Sequence, residues 1–136
     1  MSDYSKAIIY VIECSTTGNI YIGSTIQDMM LRMSKHETDF KGYYGYNTNK
    51  FRAYRSSFDC MEHDTYNIYK VEDYPCDNVL ELEKREALHI LKAREDGLLC
   101  TNKQIPRRVK NPDYQNLPDL FSHRPSVELI HHDPLP

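Results

Sequence analysis

Two short apolar runs separated by turn-forming residues open the hydrophobic pattern of the chain. Residues 7–13 are almost all apolar, and several are β-branched, which is typical of a buried strand. Residues 15–19 contain only Ser, Thr, Gly and Asn and predict a turn, and residues 20–23 form a second short strand. The two strands are therefore expected to pair as a β-hairpin.

A helix is predicted to follow the hairpin. Apolar side chains recur there at steps of four, three and four residues, which brings them to one face. That face consists of Met29, Met33, His36 and Phe40. Ser24 or Thr25 is predicted to cap the helix, because a hydroxyl can accept a hydrogen bond from the first turn. Asp28 lies near that turn, and the pattern ends near Lys41.

Residues 79–95 show the strongest helical pattern of the chain. Asp77 or Asn78 is predicted to cap this helix, and Gly97 occupies a position where helices commonly end. Its stripe consists of Val79, Leu82, Glu86, Ile90 and Ala93. A carboxylate within such a stripe is costly unless a cation or hydrogen-bond donors compensate it. Alternatively, Glu86 lies at the edge of the stripe and pairs with a Lys or Arg.

The remaining segments complete a small α/β (α+β) domain. Residues 42–57 predict a loop, and residues 56–62 a short helical piece. Residues 65–74 alternate loosely and predict a third strand, closed by Pro75. The order β-β-α-(α)-β-α therefore predicts a small antiparallel sheet covered by helices. A chain of 136 residues suits one such domain.

Composition and charge limit the possible functions. The net charge of −3 does not suit a strong nucleic-acid binder, so such a function needs local basic patches. The four cysteines form no C-x-x-C pair, which gives no support to a zinc ribbon. The sequence shows no apolar signal region and no window of about 18 apolar residues, so no membrane contact and an intracellular location are expected.

Several side chains with useful chemistry are individually weak signals. Arg32 and His36 share one helix face, where a guanidinium can hold a phosphate, although Arg32 could instead pair with Asp28. Tyr10 and Tyr21 lie on the two hairpin strands. A phenol with a pKa near ~10 is a poor base unless a metal-bound water and a cation lie beside it, and the alternative for both tyrosines is packing.

The order and spacing of these residues resemble the GIY-YIG nuclease family over residues 6–105. Ile-Ile-Tyr ending at Tyr10 is followed, after ten intervening residues, by Tyr-Ile-Gly beginning at Tyr21. The remaining matching positions are Arg32, His36, Glu86 and Asn102. Ile8 stands where the family motif has Gly, and the step from Glu86 to Asn102 is longer than usual. Residues 73–85 and 100–103 are similar to small stand-alone viral and phage members, so a host cytoplasm or nucleus is expected.

The resemblance implies a three-stranded antiparallel sheet flanked by helices and a metal-dependent endonuclease that nicks DNA. Glu86 would bind one Mg²⁺ or Mn²⁺ ion, and Arg32 would hold the scissile phosphate. Tyr10 would accept a proton from the attacking water, directly or by relay, while Tyr21 and His36 would position that water or the phosphate. Asn102 would orient the site. The products would carry a 5′-phosphate and a 3′-hydroxyl.

The expected partner is duplex or branched DNA, bound through phosphate contacts. The basic candidates are Lys35, Lys41, Lys50, Arg52, Arg55, Lys103, Arg107 and Arg108. We therefore expect a catalytic domain at residues 1–105 and a basic, then Pro-rich tail at residues 106–136, loosely packed or disordered. Two alternatives remain: a GIY-YIG scaffold that binds nucleic acid or protein without cutting, and a structural protein whose tail docks onto a partner.

Overall fold

A computed structural model describes residues 2–45 and 54–125 of the chain. Three strands form one antiparallel sheet in the order β2-β1-β3. They are Ile8–Cys14 (β1), Ile20–Thr25 (β2) and Tyr66–Asp73 (β3). The α-helices are Met29–Tyr43 (α1) and Val79–Glu95 (α2), and two 3₁₀ turns span Tyr4–Lys6 and Ser56–Cys60. The predicted α+β class and three-stranded antiparallel sheet are confirmed.

The central strand β1 is buried on both of its faces. Ile9 and Val11 point into a core that α2 covers, whereas Tyr10 and Ile12 point into a second core that contains Phe58. All five side chains have no solvent exposure. A strand covered on both faces needs apolar residues at consecutive positions, which explains the uninterrupted run in the sequence.

The start of α1 differs from the prediction. Asp28 is the N-cap, and its carboxylate accepts hydrogen bonds from the backbone N–H groups of Met30 and Leu31. The predicted caps, Ser24 and Thr25, belong to β2, because they continue the ladder with the first residues of β1. Asp28 also places a negative charge at the positive end of the helix dipole, so it suits the position physically.

Both ends of α2 agree with the sequence pattern. The Asn78 side chain caps the helix by accepting a hydrogen bond from the Glu81 N–H. At the other end, Gly97 has a φ of +77°, a backbone conformation that favours glycine. Within the predicted stripe, Leu82, Ile90 and Ala93 are buried, whereas Val79 is exposed and does not join the core.

The chain after α2 runs along the outer edge of β2. The Ile20 N–H donates to the Leu99 carbonyl at 2.9 Å, and the Thr101 N–H donates to the Ile20 carbonyl at 2.8 Å. Cys100 forms a parallel bridge with Ile20 between them. An edge strand exposes unpaired backbone groups, and this short pairing satisfies part of the β2 edge.

Part of the predicted loose tail is packed. Leu120 is 7% exposed and belongs to the core cluster on the α2 side, with Phe121 against it. Arg124 donates two hydrogen bonds to the Glu13 carboxylate, at 2.9 and 2.6 Å. The expectation of loose packing is therefore wrong for residues 120–124, because an apolar side chain and an ion pair anchor this segment. The division into a catalytic domain and a tail stays a prediction.

None of the helices in residues 2–45 and 54–125 combines the length and the apolar character needed to cross a bilayer.

Candidate active site

A buried chain of hydrogen bonds connects the hairpin, α1 and the second 3₁₀ turn. The Tyr10 hydroxyl lies 2.8 Å from His36 Nε2, and His36 Nδ1 lies 2.8 Å from Ser57 Oγ. Burial, reinforced by the charges of Arg32 and Arg55, lowers the pKa of His36 to about 3, so the ring is neutral. A neutral imidazole has one donor and one acceptor nitrogen, and this chain uses both.

The packing of Tyr10 explains the glycine of the Tyr-Ile-Gly motif. Tyr10 and Gly23 are direct partners across the hairpin. A Cβ atom at Gly23 would lie 2.4 Å from both Cζ and the hydroxyl oxygen of Tyr10. Gly23 is therefore required by the phenol ring of Tyr10, which lies across it, rather than by an unusual backbone angle.

Arg32 lies close to the tyrosine hydroxyls rather than pairing with Asp28, which caps the helix. Burial raises the pKa of Tyr10 well above its ordinary value, and the neighbouring Arg32 charge acts in the opposite direction. Burial likewise raises the pKa of Tyr21 to about 12, with Glu86 as the next cause and Arg32 opposing both. Both phenols therefore carry their protons at neutral pH in the protein alone.

Glu86 projects from α2 towards the hairpin. The Ser24 hydroxyl donates a 2.6 Å hydrogen bond to Glu86 Oε1. Burial raises the pKa of Glu86 to about 7, although the Ser24 bond and the Arg32 charge oppose the shift. Within the described residues no Lys or Arg forms an ion pair with Glu86, and the alternative of a paired carboxylate at the stripe edge gains no support from them.

A cleft of about 460 Å³ lies beside these residues. Its wall includes Tyr21, Glu86 and Asn102, which come from the hairpin, α2 and the segment after α2. Tyr21 also contacts His36, with the ring centroids 5.5 Å apart. Tyr10 has no solvent exposure and lies behind this wall. The structure thus brings the predicted side chains to one region, with the Tyr21 phenol and the Glu86 carboxylate in the cleft itself.

Asn102 holds the middle of β2 in place. Its Oδ1 accepts a hydrogen bond from the Ile22 N–H and its Nδ2 donates to the Ile22 carbonyl, both at 2.8 Å. Arg94 donates to the Asn102 carbonyl from α2 at 2.8 Å. Ile22 lies between Tyr21 and Gly23, so Asn102 fixes the part of the hairpin that carries the cleft phenol.

Two of the predicted DNA-binding residues, Arg55 and Lys103, line the cleft. Each is paired with an acid: Arg55 Nε lies 2.8 Å from Asp39 Oδ2, and Lys103 Nζ lies 3.8 Å from Asp59 Oδ2. Pairing of this kind offsets positive charge in the cleft.

Four other basic candidates, all among the described residues, are not part of the cleft wall. Lys35 pairs with Asp39 at 3.4 Å, and Arg107 pairs with Glu83 at 2.7 Å. Lys41 and Arg108 are exposed. Outside the described residues lie the two remaining candidates, Lys50 and Arg52. The described basic residues therefore do not form one continuous patch with the cleft.

Sequence reasoning missed Ser24, Ser57 and Gly23 as parts of the site. The sequence predicts Ser24 as a helix cap and places Ser57 where the predicted loop and the short helical piece overlap. Their partners, Glu86 and His36, are 62 and 21 residues away along the chain. Such distant pairings leave no local pattern. For Gly23, the signal was available, since a glycine in a strand commonly marks a close approach.

Comparison with protein families now adds to this geometry. A family model described as the GIY-YIG catalytic domain matches residues 6–96, which is more than half of the 136-residue chain. The chain therefore belongs to the GIY-YIG family, a family of nucleases. Comparisons with curated proteins and with solved structures give no match. The family resemblance seen in the sequence is confirmed over residues 6–96, and Asn102 lies beyond the matched range.

Proposed function

We propose that this chain is an endonuclease that hydrolyses a DNA phosphodiester with the help of one divalent ion, leaving a 5′-phosphate and a 3′-hydroxyl. The observation that carries the proposal is the meeting of Tyr21 and Glu86 in one cleft. Behind them, Tyr10 and His36 form a buried hydrogen-bonded chain next to Arg32. A structural scaffold would gain nothing from a largely buried carboxylate that has no ion-pair partner among the described residues and lies beside two phenols.

Glu86 fits the role of a metal ligand. GIY-YIG nucleases are generally dependent on divalent metals. Burial raises the pKa of Glu86 to about 7, so a bound cation would stabilise the ionised carboxylate. The described residues contain no group of three or more His, Cys, Asp or Glu that could hold a metal. An ion bound by one carboxylate and several waters is typical of Mg²⁺, and Mn²⁺ accepts similar oxygen ligands.

The other side chains act on the substrate and on each other. In our proposal, Arg32 holds the scissile phosphate and offsets the charge that develops on its oxygens. Tyr10 fixes the Arg32 guanidinium through its hydroxyl, and His36 fixes Tyr10. Because Tyr10 is buried and keeps its proton, it takes part in proton transfer from the attacking water only by relay. Tyr21, which reaches the cleft, orients that water.

The bond changes are those of a simple hydrolysis. The water oxygen forms a bond to phosphorus, and the bond from phosphorus to the 3′-oxygen breaks. An ion held by Glu86 would lower the pKa of the water and offset the negative charge on the leaving oxygen. One proton leaves the water and one is taken up by the 3′-oxygen. Asn102 contributes by holding Ile22, and therefore Tyr21, in position.

A test compares nicking of a supercoiled plasmid in Mg²⁺, in Mn²⁺ and in EDTA by the natural chain, Glu86→Gln and Arg32→Ala. We expect nicking only with a divalent ion, and a loss of at least 100-fold in both variants. Glu95→Gln is the matched control, because Glu95 is an exposed acid on the same helix. Equal nicking by Glu86→Gln and Glu95→Gln would overturn the assignment of the site.

The non-cleaving alternative has one supporting observation: Arg55 and Lys103, the cationic side chains of the cleft wall, are both paired with acids. Such a module would retain duplex in a gel-shift experiment and give no product at any metal concentration. Analysis of the product ends tests the proposed hydrolysis further. A nick with a 5′-phosphate and a 3′-hydroxyl is one that DNA ligase reseals directly.

A further inference from the structure

A buried acid on α1 lies next to the proposed site and takes no part in the chemistry above. The Asp39 side chain is only 2% exposed. Removing a carboxylate from water is costly unless cations or donors compensate it. Asp39 receives a close contact from Arg55 Nε at 2.8 Å and a longer one from Lys35 Nζ at 3.4 Å. Of these two cations, Arg55 is the one that continues into the cleft.

Arg55 is also close to the site along the chain. It immediately precedes the 3₁₀ turn Ser56–Cys60, whose Ser57 bonds His36. It lines the same cleft as Tyr21 and Glu86. The charge of Arg55 lowers the pKa of Tyr21, which burial raises. It also lowers the pKa of His36, in the same direction as burial. The positive charge of Arg55 is therefore felt by the site.

The geometry leaves part of this guanidinium available. The contact with Asp39 uses Nε, and the Arg55 side chain remains 48% exposed. A guanidinium has five N–H donors in a fixed fork, so one group can satisfy a carboxylate and still present donors to an oxyanion. An arginine already held by a buried acid loses less conformational freedom when it binds a ligand.

We propose that Arg55 is a second phosphate-binding residue of the cleft, and that Asp39 is a positioning residue that holds its guanidinium towards the bound strand. The inference rests on the proposed function for the identity of the ligand, a nucleic-acid phosphate. Arg32 and Arg55 then contact the strand from α1 and from the 3₁₀ turn respectively. This arrangement lets an acidic protein bind a polyanion through a few fixed cations rather than a broad basic surface.

The first experiment measures binding and does not depend on cleavage. A short fluorescent DNA duplex is titrated with the full chain in EDTA at several salt concentrations. Arg55→Ala should lower the slope of log K against log salt by about one, the effect of losing one phosphate contact. Arg124→Ala is the matched control, since Arg124 is 45% exposed and paired with an acid at a different place in the fold. Equal slopes for the two variants would overturn the proposal.

The second experiment tests Asp39 by a double-mutant cycle in the plasmid assay and in the binding assay. Asp39→Asn should lower both activities about ten-fold in the natural chain and have little further effect in the Arg55→Ala background, because the acid acts through the arginine. Losses that multiply would show that Asp39 has a separate, structural role and would overturn its part of the inference. Melting curves confirm that each variant is folded, and Arg55→Gln, which also removes the charge, takes the place of Arg55→Ala should that variant fail to fold.

The two experiments keep the proposals distinguishable. If the natural chain binds duplex with the expected salt slopes but never nicks, the proposed enzyme function fails and the Arg55 assignment stands. If it nicks and Arg55→Ala behaves as Arg124→Ala does, the function stands and the Arg55 assignment fails.

Discussion

Replacing Glu86 with Gln should stabilise the metal-free protein while abolishing its activity. The substitution keeps the shape of the side chain and an oxygen that can accept the Ser24 hydrogen bond. It removes a charge that the site does not compensate. Active-site groups that lower the stability of the folded protein are common in enzymes.

The magnitude follows from the pKa of Glu86, which burial raises from 4.5 to about 7. A shift of this size corresponds to about 3 kcal/mol against the ionised form, an upper value because solvent reaches part of the site. The folded state binds the proton more tightly than the unfolded state. The free energy of unfolding contributed by Glu86 therefore falls as pH rises from about 4.5 to 7, and then stays level.

Urea denaturation in EDTA at pH 5 and at pH 8 measures this effect. We expect Glu86→Gln and the natural chain to be nearly equal at pH 5, and the variant to be more stable by roughly 1–3 kcal/mol at pH 8. Added Mg²⁺ should stabilise the natural chain at pH 8 and leave the variant unchanged, because only the carboxylate binds the ion.

Glu95→Gln again serves as the control and should shift stability by no more than a few tenths of a kcal/mol at either pH. The reasoning is refuted if the difference in the free energy of unfolding between the natural chain and Glu86→Gln is the same at pH 5 and at pH 8. In that case the carboxylate titrates near its ordinary range, and the argument that it needs a cation is lost.

Three further outcomes follow from contacts in the site. Gly23→Ala should destabilise the protein by about 2–4 kcal/mol in urea, because its Cβ overlaps the Tyr10 ring; a cost below 1 kcal/mol would contradict that close approach. Asn102→Ala should cost about 2–4 kcal/mol by leaving two Ile22 backbone groups unpaired, and slow amide exchange at Ile22 should be lost with it. Hydrogen bonds from His89 and Arg85 outweigh burial and hold the pKa of Glu72 at about 2. Glu72 should therefore contribute stability above pH 4.5 that is lost as pH falls towards 2, and Glu72→Gln should remove this pH dependence of the free energy of unfolding measured in urea.

Local patterns in the sequence were enough to predict the elements of the fold. The strands, both α-helices and the end of α2 at Gly97 follow from hydrophobic spacing and from turn residues, which depend on neighbours in the chain. The start of α1 was missed because Ser24 has two possible uses. Its hydroxyl suits a helix cap, but pairing with β1 keeps it in a strand, where that hydroxyl reaches Glu86 instead.

The family motifs indicated the residues of the site, but not how they are connected. The positions of Tyr10, His36 and Glu86 could be read from motif order. Their hydrogen bonds to serines, and the ion pair of Arg55 with Asp39, join distant parts of the chain and depend on the packed structure. Ile8, which replaces the motif glycine, is half-buried and packs against the core around Tyr10, so a larger side chain is accommodated there.

The bond between Asn102 and Ile22 has a consequence for the timing of assembly. The hairpin is made early in synthesis, yet the residue that secures its second strand lies 80 positions later. A nascent chain that has emerged only as far as α2 still lacks the two hydrogen bonds between Asn102 and Ile22. A ribosome-held chain that ends within α2 would therefore carry the candidate side chains from Tyr10 to Glu86 but not yet the contact that holds Ile22 beside Tyr21.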